Sequence, residues 1–282
     1  METASNLAKS GADLAKAVPV YDDLLQPAVK QLGTGLETIT KAVNVALAPL
    51  SALVWGYDQI CVWLEAEVSK RLHDVSPQQV TVPDPHVVGP AVEALRYAAG
   101  SESLRDMFAQ LIATSMNAEV AGGAHPTFVE ILKQLSPDEA KLVPYFQSNT
   151  YYPILSLHVD NPDFGQRTVM KHWSTLCIEA ECEFPGYAAA YYGNLERLGL
   201  VEFDYRGEVE DEHYREMQKH PAFARLLNEL QDEEPQATPV IERGIMMRTM
   251  LGQMFINACV GETTGSQVRV THRAPSSDAF KP

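Results

Sequence analysis

Residues 185–205 read PGYAAAYYGNLERLGLVEFDY, and this stretch decides the fold of the C-terminal half. Pro185 suits the first position of a helix, and Gly199 is typical of the residue that ends one. The next residues, Leu200–Tyr205, alternate between apolar and polar side chains as a half-buried strand does. The stretch therefore predicts a helix over Pro185–Leu198, a tight turn and a β-strand.

The segments before this stretch contain further helix and strand patterns. Ser136 is followed by Pro-Asp-Glu, a capping box that predicts a helix over Ser136–Phe146. Apolar and β-branched residues over Tyr152–Val159 predict a strand. Residues Lys171–Cys182 fit either a helix or a strand, and both interpretations stay open.

The segments after this stretch complete the pattern. Val240–Arg248 precedes a helix predicted over Leu251–Val260, and Thr249 can cap that helix. A helix ending in NLERLGLVE, a β-hairpin and then T-x-L-G-x-x-F together resemble a winged helix-turn-helix. The wing would be Arg206–Pro239, an acidic insertion that we expect to be helical.

The charge of the chain limits its partners. Its 282 residues contain 22 Lys and Arg against 37 Asp and Glu, a formal net charge of −15. The stretch from Glu202 to Glu234 alone contains 11 acidic and 4 basic side chains. Because a DNA-binding surface must offer Lys and Arg to the phosphates, we do not expect nucleic acid to be a partner.

The helix Pro185–Leu198 is the one that would face a DNA groove in a winged helix. We expect Tyr191, Tyr192 and Asn194 on its exposed side, with Arg197 as its single arginine. These four residues are interaction candidates. A DNA-binding regulator that uses this helix is the alternative function, ranked below a structural or protein-binding winged helix.

The N-terminal part is apolar with a helical period. Apolar side chains recur about every 3.6 residues from Leu14 to Leu72, which predicts two or three amphipathic helices, kinked where Pro27 and Pro49 interrupt them. Further helices are predicted over residues 84–135, where three antiparallel helices are joined by short turns.

The stretch AVNVALAPLSALVWGY, residues 42–57, contains no charged residue. It is shorter than the roughly 20 residues that a membrane-spanning helix needs. It can form a helical hairpin buried in a bundle, or it can enter a bilayer or a partner after a conformational change. The interaction candidates in this region are Leu50, Leu53, Val54, Trp55, Tyr57 and Trp63.

These patterns predict a mainly α protein with three parts. Residues 1–135 form an N-terminal helical bundle, and residues 136–262 form a winged-helix-like α+β domain with the acidic helical insertion in its wing. Residues 263–282 are polar and rich in turn formers, so we expect a disordered tail.

No catalytic or metal motif is found in the sequence. Cys177 and Cys182 could ligate a metal with His172, but this spacing matches no closed zinc site, and two buried thiols are expected instead. The glutamates 179, 181 and 183 are expected on a solvated face rather than in a hydrolytic pair. We therefore expect a non-enzymatic protein without metal or cofactor, and a hydrolase with a dispersed site is the third-ranked function.

The whole sequence from about residue 15 to residue 261 resembles the abortive-infection alpha family of bacterial proteins. The phrases that carry the resemblance follow one another in the family's order: AVNVALAPLSALVWGYDQI, PDPHVVGPAVEAL, LRDMFAQLIATSMN, HPTFVEILKQLSPDEAK, YYGNLERLGLVEF and LGQMFINACV. The resemblance implies a role in bacterial defence against phage and implies no catalytic residue.

Together these observations predict where the protein acts and with what. We expect a host or phage protein as partner, a cytoplasmic location and the capacity to form a homo-oligomer. Peripheral association with the inner membrane through residues 42–57 is the alternative.

Overall fold

A computed structural model of the chain describes residues 40, 43–44, 58–98, 100–261 and 270–272. They divide into two units. The first comprises the chain up to Gln134 together with Asn257–Gly261. The second comprises Leu135–Ile256 and the described residues that follow Gly261.

The first unit is helical. Its helix α3 (Glu102–Met116) packs against the other three helices of the unit, and its buried side chains include Leu104, Phe108 and Leu111. Ser101 caps α3, since its hydroxyl accepts a hydrogen bond from the Leu104 amide. The helices predicted within residues 84–135 are confirmed. The four helices are α1 (Asp58–Arg71), α2 (Pro85–Leu95), α3 (Glu102–Met116) and α4 (Pro126–Leu132).

Most of the predicted N-terminal helices lie outside the described residues. Before α1, only Thr40, Val43 and Asn44 are described; all three are helical, and Val43 is buried. The rest of the uncharged stretch, residues 42–57, lies outside the described part, as do the interaction candidates Leu50, Leu53, Val54, Trp55 and Tyr57. Among the helices that are described, none has the length and apolar character needed to cross a bilayer.

The second unit combines helices with an antiparallel sheet. The helices are α5 (Pro137–Leu142), α6 (Tyr145–Ser148), α7 (Leu176–Glu179), α8 (Ala188–Arg197), α9 (Asp211–Lys219), α10 (Pro221–Glu233) and α11 (Met250–Cys259), whose last three residues belong to the first unit. The strands are β1 (Tyr151–Asn161), β2 (Gly165–Trp173), β3 (Val201–Asp204), β4 (Gly207–Val209), β5 (Thr238–Arg248) and β6 (Val270–His272). Four of these strands form a sheet in the order β2-β1-β5-β3, and β4 pairs separately with β6.

The predicted strands and helices of this unit are found, and the structure adds strands that were not predicted. One of these is β2, an edge strand whose first half is exposed and therefore lacks apolar alternation. The stretch Lys171–Cys182, for which helix and strand were both open, contains both: β2 ends at Trp173, and α7 covers Leu176–Glu179. The tail was expected to be disordered, but Val270–His272 pairs with Gly207–Val209; its other residues lie outside the described part.

The sheet makes the protein mixed α and β rather than mainly α. One face of the sheet packs against α9 and α10, the helices of the acidic insertion. These helices are amphipathic, and Tyr214 and Phe223 turn fully buried rings toward Leu155 and Ile245. The insertion is thus helical as predicted, and most of its acidic residues are exposed.

A tight junction joins the end of α8 to the start of α11. Gly199 adopts a φ of 73°, a left-handed conformation that favours glycine after a helix. The Thr249 amide donates to the Leu200 carbonyl at 3.1 Å, and the Thr249 hydroxyl accepts from the Gly252 amide at 2.9 Å. A Cβ at Gly252 would lie 2.1 Å from the Leu200 carbonyl oxygen, so only glycine fits there. This explains the T-x-L-G pattern and confirms Thr249 as the cap.

Candidate functional site

A buried carboxylate organises the loop that precedes α8. Asp138, in the first turn of α5, is 4% exposed. Its Oδ1 accepts a hydrogen bond from the Glu183 amide at 2.8 Å, and its Oδ2 accepts one from the Phe184 amide at 3.0 Å. Because both amides belong to one loop, the carboxylate fixes where α8 begins.

Two side chains complete the environment of this carboxylate. The Lys141 ammonium donates to Asp138 Oδ1 at 3.1 Å, and the Tyr191 hydroxyl donates to Oδ2 at 3.1 Å. Burial raises the pKa of Asp138, but the hydrogen bonds from the two amides, Lys141 and Tyr191 outweigh it and lower the pKa to about 2. A carboxylate that accepts four hydrogen bonds is a structural anchor rather than a free base.

The two neighbouring cysteines are buried, as predicted. Cys177 is 1% exposed, and the Cys182 thiol donates to the Asp138 carbonyl at 3.8 Å. Burial raises the pKa of Cys177, and burial together with the neighbouring Cys177 raises that of Cys182 to about 12. His172 stacks on Phe203, with ring centroids 3.7 Å apart. Among the described residues, no three His, Cys, Asp or Glu side chains are arranged to hold a metal ion.

The expected exposed side of α8 needs correction. The expectation that Tyr192 is exposed is wrong, because its side chain is fully buried. It lies three residues before the buried Leu195, on the inner face of the helix. Tyr191 is half-buried and held by Asp138. The side chain of Arg197 folds back along its own helix, where Nη2 donates to Asn194 Oδ1 at 2.7 Å.

Trp63 is the interaction candidate of the first unit that the structure describes. It is half-buried in α1. The Arg105 guanidinium of α3 lies over its ring, 5.6 Å from the centroid, at a distance typical of a cation–π contact. This contact helps to join α1 to α3.

A groove of about 370 Å³ opens between α8 and α10, with the end of β2 and α7 completing its walls. We call it the α8–α10 groove. Its volume lies within the range of about 300–1,000 Å³ that is common for binding sites. Its lining is largely apolar and includes Met170, Trp173, Ile178, Ala189, Ala222 and Leu226.

Exposed apolar side chains lie on the groove wall and, in the sequence, on either side of the groove-lining pair Pro185 and Gly186. Phe184 is 54% and Tyr187 is 64% exposed, and their rings meet edge to face with centroids 6.4 Å apart. Ile178, at the groove wall, is 44% exposed. Large apolar side chains grouped at a surface mark an interaction site, whereas scattered ones do not. Phe184, Tyr187 and Ile178 are called the groove rim below.

The groove also contains charged side chains. Lys171, Arg225 and Glu229 line it, and all three are exposed. Within the described residues, neither Lys171 nor Arg225 forms an ion pair or a side-chain hydrogen bond. Elsewhere in the unit, Arg167 pairs with Glu234, and Arg243 pairs with Asp211.

A second cleft, of about 380 Å³, lies beside α9 and is more polar. Several of the side chains that line it have local partners. The Thr175 hydroxyl donates to Glu179, and His220 Nδ1 accepts from the Ala222 amide as the cap of α10. The Tyr152 hydroxyl donates to the Tyr145 carbonyl at 2.9 Å. These contacts give Thr175, His220 and Tyr152 a structural role.

Comparison with known protein families shows to which family the chain belongs. The sequence profile described as abortive infection alpha matches residues 56–259, which span α1 to α11 and make up more than half of the chain. The chain belongs to the abortive infection alpha family. The resemblance recognised from the sequence phrases is therefore confirmed.

One solved structure resembles part of this abortive infection alpha protein. It is described as that of an uncharacterized protein from the hydrocarbon-degrading marine bacterium Alcanivorax borkumensis SK2. The match has 20% sequence identity and a TM-score of 0.34, and it covers 48% of this chain and 92% of that one. No curated protein matches the chain.

The α8–α10 groove of this abortive infection alpha protein was missed by the sequence analysis. Its walls come from β2, α7, α8 and α10, which are far apart along the chain. One signal was available in the stretch Phe184–Tyr187, which puts two aromatic side chains around a Pro-Gly pair at the start of a helix. Apolar residues at such a loop are exposed more often than those within the helix.

We predict that Tyr191→Phe destabilises the second unit by about 1–2 kcal/mol, because the substitution removes a hydrogen bond to an ionised carboxylate. Urea denaturation followed by Trp173 fluorescence measures the change. Tyr187→Phe is the matched control, since Tyr187 is exposed and should change stability by less than about 0.5 kcal/mol. Equal losses from the two substitutions would contradict the role given to Tyr191.

Proposed function

We propose that this protein is a non-enzymatic phage-defence protein that acts by contacting other proteins through its second unit. The family match supports the role in abortive infection. The observation that carries the protein-binding part is the groove rim, a group of exposed apolar side chains that belong to the lining of an apolar groove or are its immediate neighbours in sequence. An acidic protein surface beside such a rim suits selective contact with other proteins.

The order of the elements supports a winged-helix architecture for this unit. Helices α5 and α6 precede β1, α7 and α8 precede β3, and β5 lies between β1 and β3 in the sheet. In this interpretation β2 extends the sheet at one edge, and α9 and α10 form a helical insertion in the wing. Winged helices serve both DNA and protein recognition, so the residues of α8 decide between the two.

The residues of α8 favour protein recognition. Arg197 is its only basic residue, and Asn194 accepts hydrogen bonds from the Arg197 guanidinium. The insertion next in sequence has an excess of acidic residues, which would repel phosphates. We predict that a gel-shift with genomic DNA fragments at low salt gives no complex. A shift that is lost on Arg197→Ala would favour the DNA-binding regulator.

The reactive groups of the unit support a non-enzymatic role. The Asp138 carboxylate accepts four hydrogen bonds, which leaves it a poor base. Burial raises the pKa of the Cys177 and Cys182 thiols, which keeps them protonated and poorly nucleophilic at neutral pH. The Asp138 carboxylate instead holds the loop before α8 through the Glu183 and Phe184 amides.

A phage challenge tests the proposal. Bacteria that express the protein should release fewer progeny phage, over a panel of phages, than bacteria with an empty vector. The double substitution Phe184→Ala and Tyr187→Ala should abolish this protection while leaving the unfolding midpoint within about 2 °C. Phe164→Ala is the matched control, because Phe164 is 83% exposed in the same unit and does not line the groove. Protection that survives the rim substitutions would contradict the proposal.

A further inference from the structure

We propose that the α8–α10 groove binds a partner segment that combines apolar side chains with two or more carboxylates. This inference rests on the proposed function and names the chemical class of its partner. It depends on three features of the groove: its apolar walls, its exposed aromatic rim, and two cations that have no ion pair among the described residues.

The walls and the rim provide the apolar part of the site. Trp173, Met170 and Leu226 line the groove, and the exposed Phe184 and Tyr187 flank the lining residues Pro185 and Gly186 in the sequence. Aromatic side chains in a concave surface contribute a large share of binding energy, because they exclude water over a wide area at little entropic cost. A partner segment must offer leucine-like or aromatic side chains to fill this space.

The charges provide the selectivity. The second unit is strongly acidic. Even so, the one lysine and the one arginine that line the groove, Lys171 and Arg225, have no ion pair within the described residues. Glu229 also lines the groove, so the two cations outnumber the single carboxylate there. A segment with carboxylates next to its apolar residues would pair with Lys171 and Arg225, whereas a basic segment would be repelled by them.

A nucleic acid fits this site less well than a peptide. Its phosphates could pair with the two cations, but the groove offers apolar walls where a backbone-binding surface would offer more lysines and arginines. The acidic residues of the neighbouring insertion oppose a polyanion of high charge density more strongly than a short segment with two or three carboxylates.

Selection from a random twelve-residue peptide library displayed on phage, with the full-length protein as target, tests the inference. We expect the enriched peptides to be net negative and to contain at least two Leu, Phe, Tyr or Trp residues. Enrichment of basic or uncharged peptides would overturn the proposal, as would a failure to enrich any sequence.

The most enriched acidic peptide then serves as the probe in a titration followed by Trp173 fluorescence, with Trp55 and Trp63 replaced by Phe. Lys171→Glu with Arg225→Glu should weaken its binding at least tenfold. Arg206→Glu with Lys219→Glu is the matched control, because these two cations are exposed in the same unit and do not line the groove. The control should change binding less than twofold. Equal effects of the two double substitutions would overturn the proposal.

A charge exchange and a competition complete the test. Replacing the carboxylates of the probe by Lys should restore binding to the Lys171→Glu, Arg225→Glu protein, and a lack of any restoration would contradict direct pairing. A twelve-base-pair DNA duplex should not displace the probe, and displacement would assign the groove to nucleic acid. The probe titration is carried out on the purified protein and does not depend on infection. If the titration fails while the protein still protects bacteria against phage, the acidic partner class is refuted and the proposed function is not.

Discussion

Asp138→Ala is expected to lower the free energy of unfolding of the second unit by about 3–5 kcal/mol. The substitution removes four hydrogen bonds to the carboxylate, from the Glu183 and Phe184 amides, the Lys141 ammonium and the Tyr191 hydroxyl. The loss of four hydrogen bonds to an ionised acceptor, each contributing about 1 kcal/mol, has an effect of this size. Urea denaturation followed by Trp173 fluorescence measures the loss.

Asp211→Ala is the matched control for this substitution. Asp211 also pairs with arginines, Arg215 and Arg243, but its side chain is 60% exposed. An exposed ion pair contributes about 0–1 kcal/mol, so the control should change stability little. If the two alanine substitutions cost the same, the Asp138 carboxylate does not anchor the loop before α8.

The same carboxylate gives the stability of the unit a specific pH dependence. Its pKa in the folded protein is about 2, below the ordinary value of 3.8, so the contribution of Asp138 is fully present above about pH 4. It is lost as the pH falls from about 4 to about 2, because the unfolded chain takes up the proton first. The difference corresponds to about 2 kcal/mol. The Asp138→Asn protein should show a correspondingly shallower loss of stability over this pH window.

Gly252→Ala is expected to destabilise the second unit by about 3 kcal/mol or more. The new methyl group would lie 2.1 Å from the Leu200 carbonyl oxygen, and a backbone atom cannot move aside as the end of a flexible side chain can. Either α11 shifts away from the turn after α8, or the hydrogen bonds of Thr249 to that turn are lost. Thermal denaturation should show a fall in Tm of several degrees.

Gly193→Ala is expected to change the stability of the second unit in the opposite direction. Gly193 lies within α8, and no atom lies within 4 Å of the place its Cβ would take. Alanine in a helix is favoured over glycine by about 0.5–1 kcal/mol, so this substitution should raise the Tm. A similar fall in Tm from both substitutions would contradict the contact between Gly252 and Leu200.

Local sequence patterns predicted much of the second unit. The capping box at Ser136 is formed as expected, with the Ser136 amide donating to Glu139 Oε2 at 2.6 Å. The apolar and β-branched residues over Tyr152–Val159 correspond to part of β1, and the T-x-L-G pattern corresponds to the cap of α11. Each of these signals concerns residues that are close together in sequence, so their meaning does not depend on the tertiary fold.

Features that depend on distant parts of the chain were not predicted. Tyr192 was placed on the exposed side of α8 because two adjacent tyrosines give no indication of which one faces the core. Asp138 is read from sequence only as a residue of the first helical turn, although its main partners lie about 45 residues later, at Glu183 and Phe184. The groove likewise exists only after β2, α7, α8 and α10 have come together.

Photo-crosslinking from the groove rim in infected cells tests most directly the claim that this abortive infection alpha protein acts by contacting other proteins. A photoreactive phenylalanine analogue replaces Tyr187, or Phe164 as the control, and the cells are irradiated during infection. We expect a covalent protein adduct from position 187 and none from position 164, with the cross-linked segment acidic and rich in apolar residues. The absence of an adduct from position 187, equal adducts from both positions, or adducts with nucleic acid alone would contradict the account.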